Sequence, residues 1–101
     1  MSQTVIHQPR VVWDGARAFV RAANGSGYDA FSATVLSRLG SGYYGELANT
    51  RQRLQHASIE SSDNDRFTVD VEASRWRVRL DELIRNRPDL IPVIQELTTT
   101  V

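Results

Sequence analysis

The sequence contains no cysteine, which excludes disulfide staples, thiolate metal sites and cysteine nucleophiles. It contains no lysine either, because all twelve basic residues are arginine. Arginine-only usage suits a high-GC genome, and it also equips a surface for bidentate contacts with carboxylates or phosphates. Apolar runs are only a few residues long, far short of the roughly 20 that a membrane-spanning helix needs. The formal net charge is zero, so no overall field draws the chain toward nucleic acid or an anionic membrane. Residues 1–8 have neither a basic start nor an apolar segment of the secretory kind. Cytoplasmic localisation, with no membrane partner, is the expectation from these absences.

What is present reads as one folded unit. At 101 residues with 41% hydrophobic and 24% charged content, the chain can enclose one modest core. Charge is unevenly spread along it. Residues 1–57 carry six arginines against Asp14, Asp29 and Glu46, whereas residues 58–74 carry five acids against Arg66 alone. We expect a flexible segment over residues 1–8 and a single helical domain over 9–101.

Hydrophobic spacing predicts five helices. The first opens near Pro9, a favoured first-turn residue. It turns Val12, Trp13, Ala16, Phe19, Val20 and Ala23 inward at intervals of three and four. Asn24-Gly25-Ser26-Gly27 then stops it. A second helix, with Asp29 as a plausible N-cap, presents Phe31, Val35, Leu36 and Leu39. After Gly40-Ser41-Gly42, a third carries Tyr43, Leu47, Thr50, Leu54 and Ala57 inward, with Glu46, Asn49, Gln52, Arg53 and His56 on the solvated side. Residues 58–65 read as a loop. The alternating segment 67–71 has the look of a short strand, but nothing to pair with, so it is assigned to the start of the fourth helix. That helix carries the stripe Val69, Ala73, Trp76, Leu80 and Leu83 and is expected to be the central element. Arg87-Pro88 ends it. A fifth helix capped by Asp89 presents Leu90, Ile94 and Leu97, with Ile91 and Val93 widening the apolar face beyond what a lone surface helix needs. The fold class is therefore all-α: a compact bundle of four to five helices, or an orthogonal helical domain.

Candidate chemistry is sparse. His7 and His56 have no acid or second histidine at ligand spacing. Asp63 and Asp65 lack the glycine and terminal glutamate of a calcium loop. The glycine clusters lack phosphate-loop spacing. No catalytic residue, metal ligand, cofactor or small-molecule substrate is expected, and the chain is not expected to be an enzyme. The surplus apolar face of the last helix, together with Tyr44 off the main stripe of the third, makes Tyr44, Ile91, Val93 and Ile94 the candidate partner surface. The expected function is accordingly protein–protein interaction or self-assembly.

Two resemblances bear on this. Residues 34–47, a leucine-rich helix followed by Tyr44-Gly45-Glu46-Leu47, resemble the opening of PadR-like winged-helix repressors. That resemblance implies an alternative: a small DNA-binding regulator using residues 30–57, with Arg38, Arg51 and Arg53 as nucleic-acid contacts. The acidic stretch that follows departs from the repressor pattern. Across most of its length the chain also resembles small uncharacterised actinobacterial helical proteins. The shared patterns are Trp13-x-x-Ala16-Arg17-x-Phe19, Leu47-x-x-Thr50-Arg51-x-x-Leu54, and Glu72-x-x-x-Trp76-x-x-Arg79-Leu80-x-x-Leu83 followed by Pro88. That second resemblance brings no activity, ligand or site residue with it.

Overall fold

The computed structural model describes residues 8–60 and 62–100, with side chains for 9–57 and 66–100. The segment expected to be flexible lies outside the described residues, apart from Gln8, which opens the first helix. Five α-helices follow in order: α1 (Gln8–Ala23), α2 (Tyr28–Leu39), α3 (Ser41–Glu60), α4 (Ser62–Asn86) and α5 (Ile91–Thr99). A single 3-10 turn, Pro88–Leu90, precedes α5. No strand occurs among the described residues, and the architecture is an all-α helical bundle.

Local chemistry explains the boundaries. Pro9 sits in the first turn of α1, where its missing N–H has no carbonyl to bond. The chain leaves α1 through tight bonds from Asn24 N–H to Val20 (3.0 Å) and from Gly25 N–H to Ala22 (3.2 Å). Asp29 is not the N-cap of α2. Gly27 holds that position and Asp29 lies in the first turn, where its carboxylate suits the positive end of the helix dipole. Gly40, with φ +102°, separates α2 from α3. Its N–H donates to Val35 (3.1 Å) and Leu36 (3.2 Å), a helix stop in a backbone region that side chains other than glycine rarely enter.

Two further expectations about helix boundaries differ from the structure. The loop expected over 58–65 is helical backbone on both sides, with α3 running to Glu60 and α4 starting at Ser62. Asp89 lies within the 3-10 turn and makes no capping bond, while Leu90 occupies the N-cap of α5. Residues 67–71 belong to α4, as expected from their lack of a pairing partner.

The helix in the middle of the bundle is α1 rather than α4. It packs against α4, α5, α3 and α2, whereas α4 rests mainly on α1 and α3. Its small residues make this geometry possible. Ala16, Ala18, Ala22 and Ala23 are buried alongside Val11, Val12, Phe19 and Val20, so neighbouring helices approach on several sides. Gly15 marks the tightest crossing: a Cβ there would lie 2.8 Å from Ile94 Cγ2 and 3.1 Å from Leu80 Cδ1. The core centres on Trp76 of α4, which has no solvent exposure. Its ring lies 4.7 Å from Phe19 and 6.3 Å from Tyr43, and Phe19 meets Phe31 edge-on at 5.0 Å.

The first four turns of helical spacing in α1 mislead at one residue. Trp13 is not core; it is 40% exposed. Its ring lies between the guanidinium of Arg17 at 5.7 Å and that of Arg77 at 5.1 Å, so cation–π contact takes the place of burial.

Candidate interaction surface

The outward side of α4 is built on a simple offset. Trp76, Glu72, Ala73 and Leu80 occupy its buried side. At 100° per residue, Phe67, Val71, Ser74 and Val78 then fall within about 40° of the opposite pole. A helix covering a core ordinarily puts polar residues there. Here Phe67 is 68% exposed and Val78 58% exposed, with half-buried Val71 between them. The intervals of four, three and four are those of a seam that packs against another helix.

This ridge is flanked on both sides. Toward α1 lies a groove lined by Trp13, Arg17, Arg21, Asn24, Asp70 and Ser74. Arg77 stands at its rim, with a buried Nε that has no hydrogen-bond partner. Toward α3 lies an open groove of about 730 Å³, walled by Phe67, Val71, His56 and Ala57 and crossed by Arg53 and Arg75.

Glu72 lies at the base of the second groove and is almost completely buried. Its carboxylate accepts hydrogen bonds from Arg53 Nε (2.7 Å), Arg53 Nη2 (2.9 Å) and Thr50 Oγ1 (2.9 Å), with Arg75 at 3.8 Å. The same Thr50 hydroxyl accepts from Trp76 Nε1 at 2.8 Å. Burial pushes the carboxyl pKa upward. The hydrogen bonds from Arg53 and Thr50, with the charges of Arg53 and Arg75, outweigh it and hold the group below its ordinary range. The Arg53 guanidinium is shifted up by its hydrogen bonds to the same carboxylate. With its oxygens committed to these donors, Glu72 ties α3 to α4 instead of accepting protons from a ligand.

Of the residues expected to form a partner surface, only Tyr44 is exposed. Ile91, Val93 and Ile94 are buried, together with Leu97. The wide apolar face of α5 is covered by α1, whose small residues admit that helix deeply. The surplus apolar surface lies instead on α4.

The arginines expected as nucleic-acid contacts are occupied within the chain. Arg51 Nη1 donates to the carbonyls of Ala23 (2.9 Å) and Gly25 (3.3 Å), and its guanidinium lies 4.4 Å from the Tyr28 ring centroid. Arg53 holds Glu72, and Arg38 reaches Glu96 at 3.4 Å. His56 lines the α3–α4 groove. His7 and the side chains of Asp63 and Asp65 lie outside the described residues. Among the described residues no group of three or more His, Asp or Glu side chains converges to hold a metal ion. No described helix is long and apolar enough to cross a membrane.

The sequence readings missed both the α4 ridge and the Thr50–Glu72–Trp76 network. Each left a signal. Phe67, Val71, Ser74 and Val78 repeat at four and three, and Glu72 stands four residues before Trp76 on the same inward stripe. No family model, curated protein or solved structure matches the chain.

Proposed function

We propose that this chain is a helical protein-interaction module that docks through the outward face of α4 and works in the cytoplasm. The observation that carries the reading is the alignment of Phe67, Val71 and Val78 on a helix whose other face is already filled by core. Covering a large apolar side chain is worth about 1.5–3 kcal/mol, so this ridge gives a helical partner a continuous apolar seam. Trp13, held by two arginines beside the ridge, adds a rigid aromatic contact of the kind that anchors interfaces. Arg51 and Arg53, engaged with α1 and Glu72, and Arg38, in a surface pair with Glu96, take no part in this docking.

Site-specific photo-crosslinking in the producing cell tests it. A benzophenone side chain replacing Phe67 should give discrete protein adducts, and Val71→Asp in the same chain should abolish them. The same group placed at exposed Gln95 on α5 should give none. Equal labelling from both positions, or adducts indifferent to Val71→Asp, would overturn the proposal.

A further inference from the structure

Resting on that reading, we infer that the occupant of the α4 ridge is a second copy of this chain, with the two α4 helices antiparallel. The charges along one edge of the ridge select this occupant. Asp70 and Arg77 lie on the edge facing α1, seven residues apart, and neither makes an ion pair among the described residues. On one helix they stand roughly 10 Å apart along the axis, two turns of rise, too far to meet. An antiparallel copy brings each to the other. Asp70 of one protomer faces Arg77 of its partner, and the two-fold axis repeats the pair.

The apolar residues select the same register. Phe67 with Val78 and Val71 with Ser74 share a midpoint between residues 72 and 73, and the flanking pair of Asp70 with Arg77 centres one residue further on. One two-fold axis at that level therefore stacks Phe67 on the partner's Val78 and Val71 on the partner's Ser74. The same axis closes both ion pairs. Ser74 at the centre leaves room for close approach of the helices. In a parallel pair Asp70 and the partner's Arg77 would lie on opposite flanks of the seam and two turns apart in level, so they would not meet.

Arg77 is prepared for this role. Its guanidinium is already fixed over Trp13, so little side-chain freedom is lost on pairing, and the partner carboxylate meets a cation that has no ion-pair partner among the described residues. A single helix pair buries less than the roughly 1,600 Å² of a standard interface. The dimer is therefore concentration-dependent, with a dissociation constant in the micromolar range or weaker.

Sedimentation equilibrium on the purified protein, carried to millimolar concentration, tests the pairing. The wild type should dimerise. Asp70→Arg and Arg77→Asp should each weaken dimerisation by tenfold or more, because each homodimer then sets like charges together. An equimolar mixture of the two variants should recover a heterodimer, since every facing pair is again opposite in sign. A variant that merely folds poorly gives no such recovery, and far-ultraviolet circular dichroism checks the fold of each. The absence of native cysteine permits a second readout. Phe67→Cys mixed with Val78→Cys should form a disulfide between protomers faster than either variant forms one with itself.

A wild type monomeric throughout overturns the self-pairing, while adducts between Phe67-labelled chain and a different protein would leave the docking face standing. Dimers indifferent to both charge reversals, or Phe67→Cys crosslinking to itself in preference, would overturn the antiparallel arrangement.

Discussion

Thr50→Val should be among the most destabilising small changes in this protein, although it removes only a hydroxyl. The side chain has no solvent exposure, and its oxygen serves two partners on α4. Without it, the indole N–H of fully buried Trp76 has no acceptor, a loss of about 1–3 kcal/mol. Buried Glu72 loses one of its donors, and a hydrogen bond to a charged group contributes about 1.5–3 kcal/mol. The added methyl returns roughly 0.8 kcal/mol of burial. The balance is about 2–5 kcal/mol out of a total stability of about 5–15 kcal/mol for a typical domain. At about 4–8 °C per kcal/mol for a domain near this size, the melting temperature should fall by at least ~8 °C. Urea unfolding followed by circular dichroism measures the loss directly. Trp76→Phe supplies the control, because removing the indole N–H removes the orphaned donor. The double variant should therefore cost less than the two single variants together, by about 1 kcal/mol or more. A Thr50→Val loss below about 0.5 kcal/mol, or strict additivity with Trp76→Phe, would refute the network as a tie between α3 and α4.

Gly15→Ala improves intrinsic helix propensity by about 1 kcal/mol, yet its new methyl would lie 2.8 Å from Ile94 Cγ2. Net destabilisation of about 1–2 kcal/mol is expected from overpacking, read from the urea midpoint. Ile94→Ala should cost about 2–5 kcal/mol by opening a cavity, whereas Val78→Ala on the exposed ridge should change monomer stability by less than about 0.5 kcal/mol; thermal melts of the two at low protein concentration separate core from surface. For Glu72, whose folded pKa is held below the ordinary value, the stabilisation is complete above about pH 4.3. It is lost as the pH falls through the lower folded value. Glu72→Gln should therefore be less stable than wild type near neutrality, and the two urea midpoints should converge as the pH falls below the ordinary carboxylate range.

Much of the helical order was legible because period and punctuation agree. The stripes of α3 and α4 held, and Gly40 and Pro88 stop their helices through the φ preference of one and the ring of the other. The misreadings share a physical source: helical spacing says which residues share a face, but not what covers it. The apolar face of α5 looked surplus because its partner, the small-residue side of α1, has little apolar bulk of its own to announce it. Trp13 shared the stripe of Val12 and Ala16, yet lies at its margin, where two arginines compete successfully with the core. Arg53 was placed on the solvated side of α3 because nothing local shows that Glu72, nineteen residues away, points back at it. The opposite pole of α4 is hard to read for a different reason: Phe67, Val71 and Val78 are interleaved in sequence with the inward stripe around Trp76, and a helix with apolar residues on both sides shows no clear polar face.

The position of α1 has a consequence for the chain during its synthesis. The helix on which the others assemble is made early, while α5, the helix that closes over Gly15, follows α1 by about seventy residues. Until α5 leaves the ribosome, one side of α1 lacks its cover, so the nascent chain carries a vacancy lined by alanine, glycine and valine. Early folding can join α1 to the α3–α4 pair, but completion waits for the most sequence-distant contact in the bundle. Such a contact sets the pace of folding more than it sets final stability.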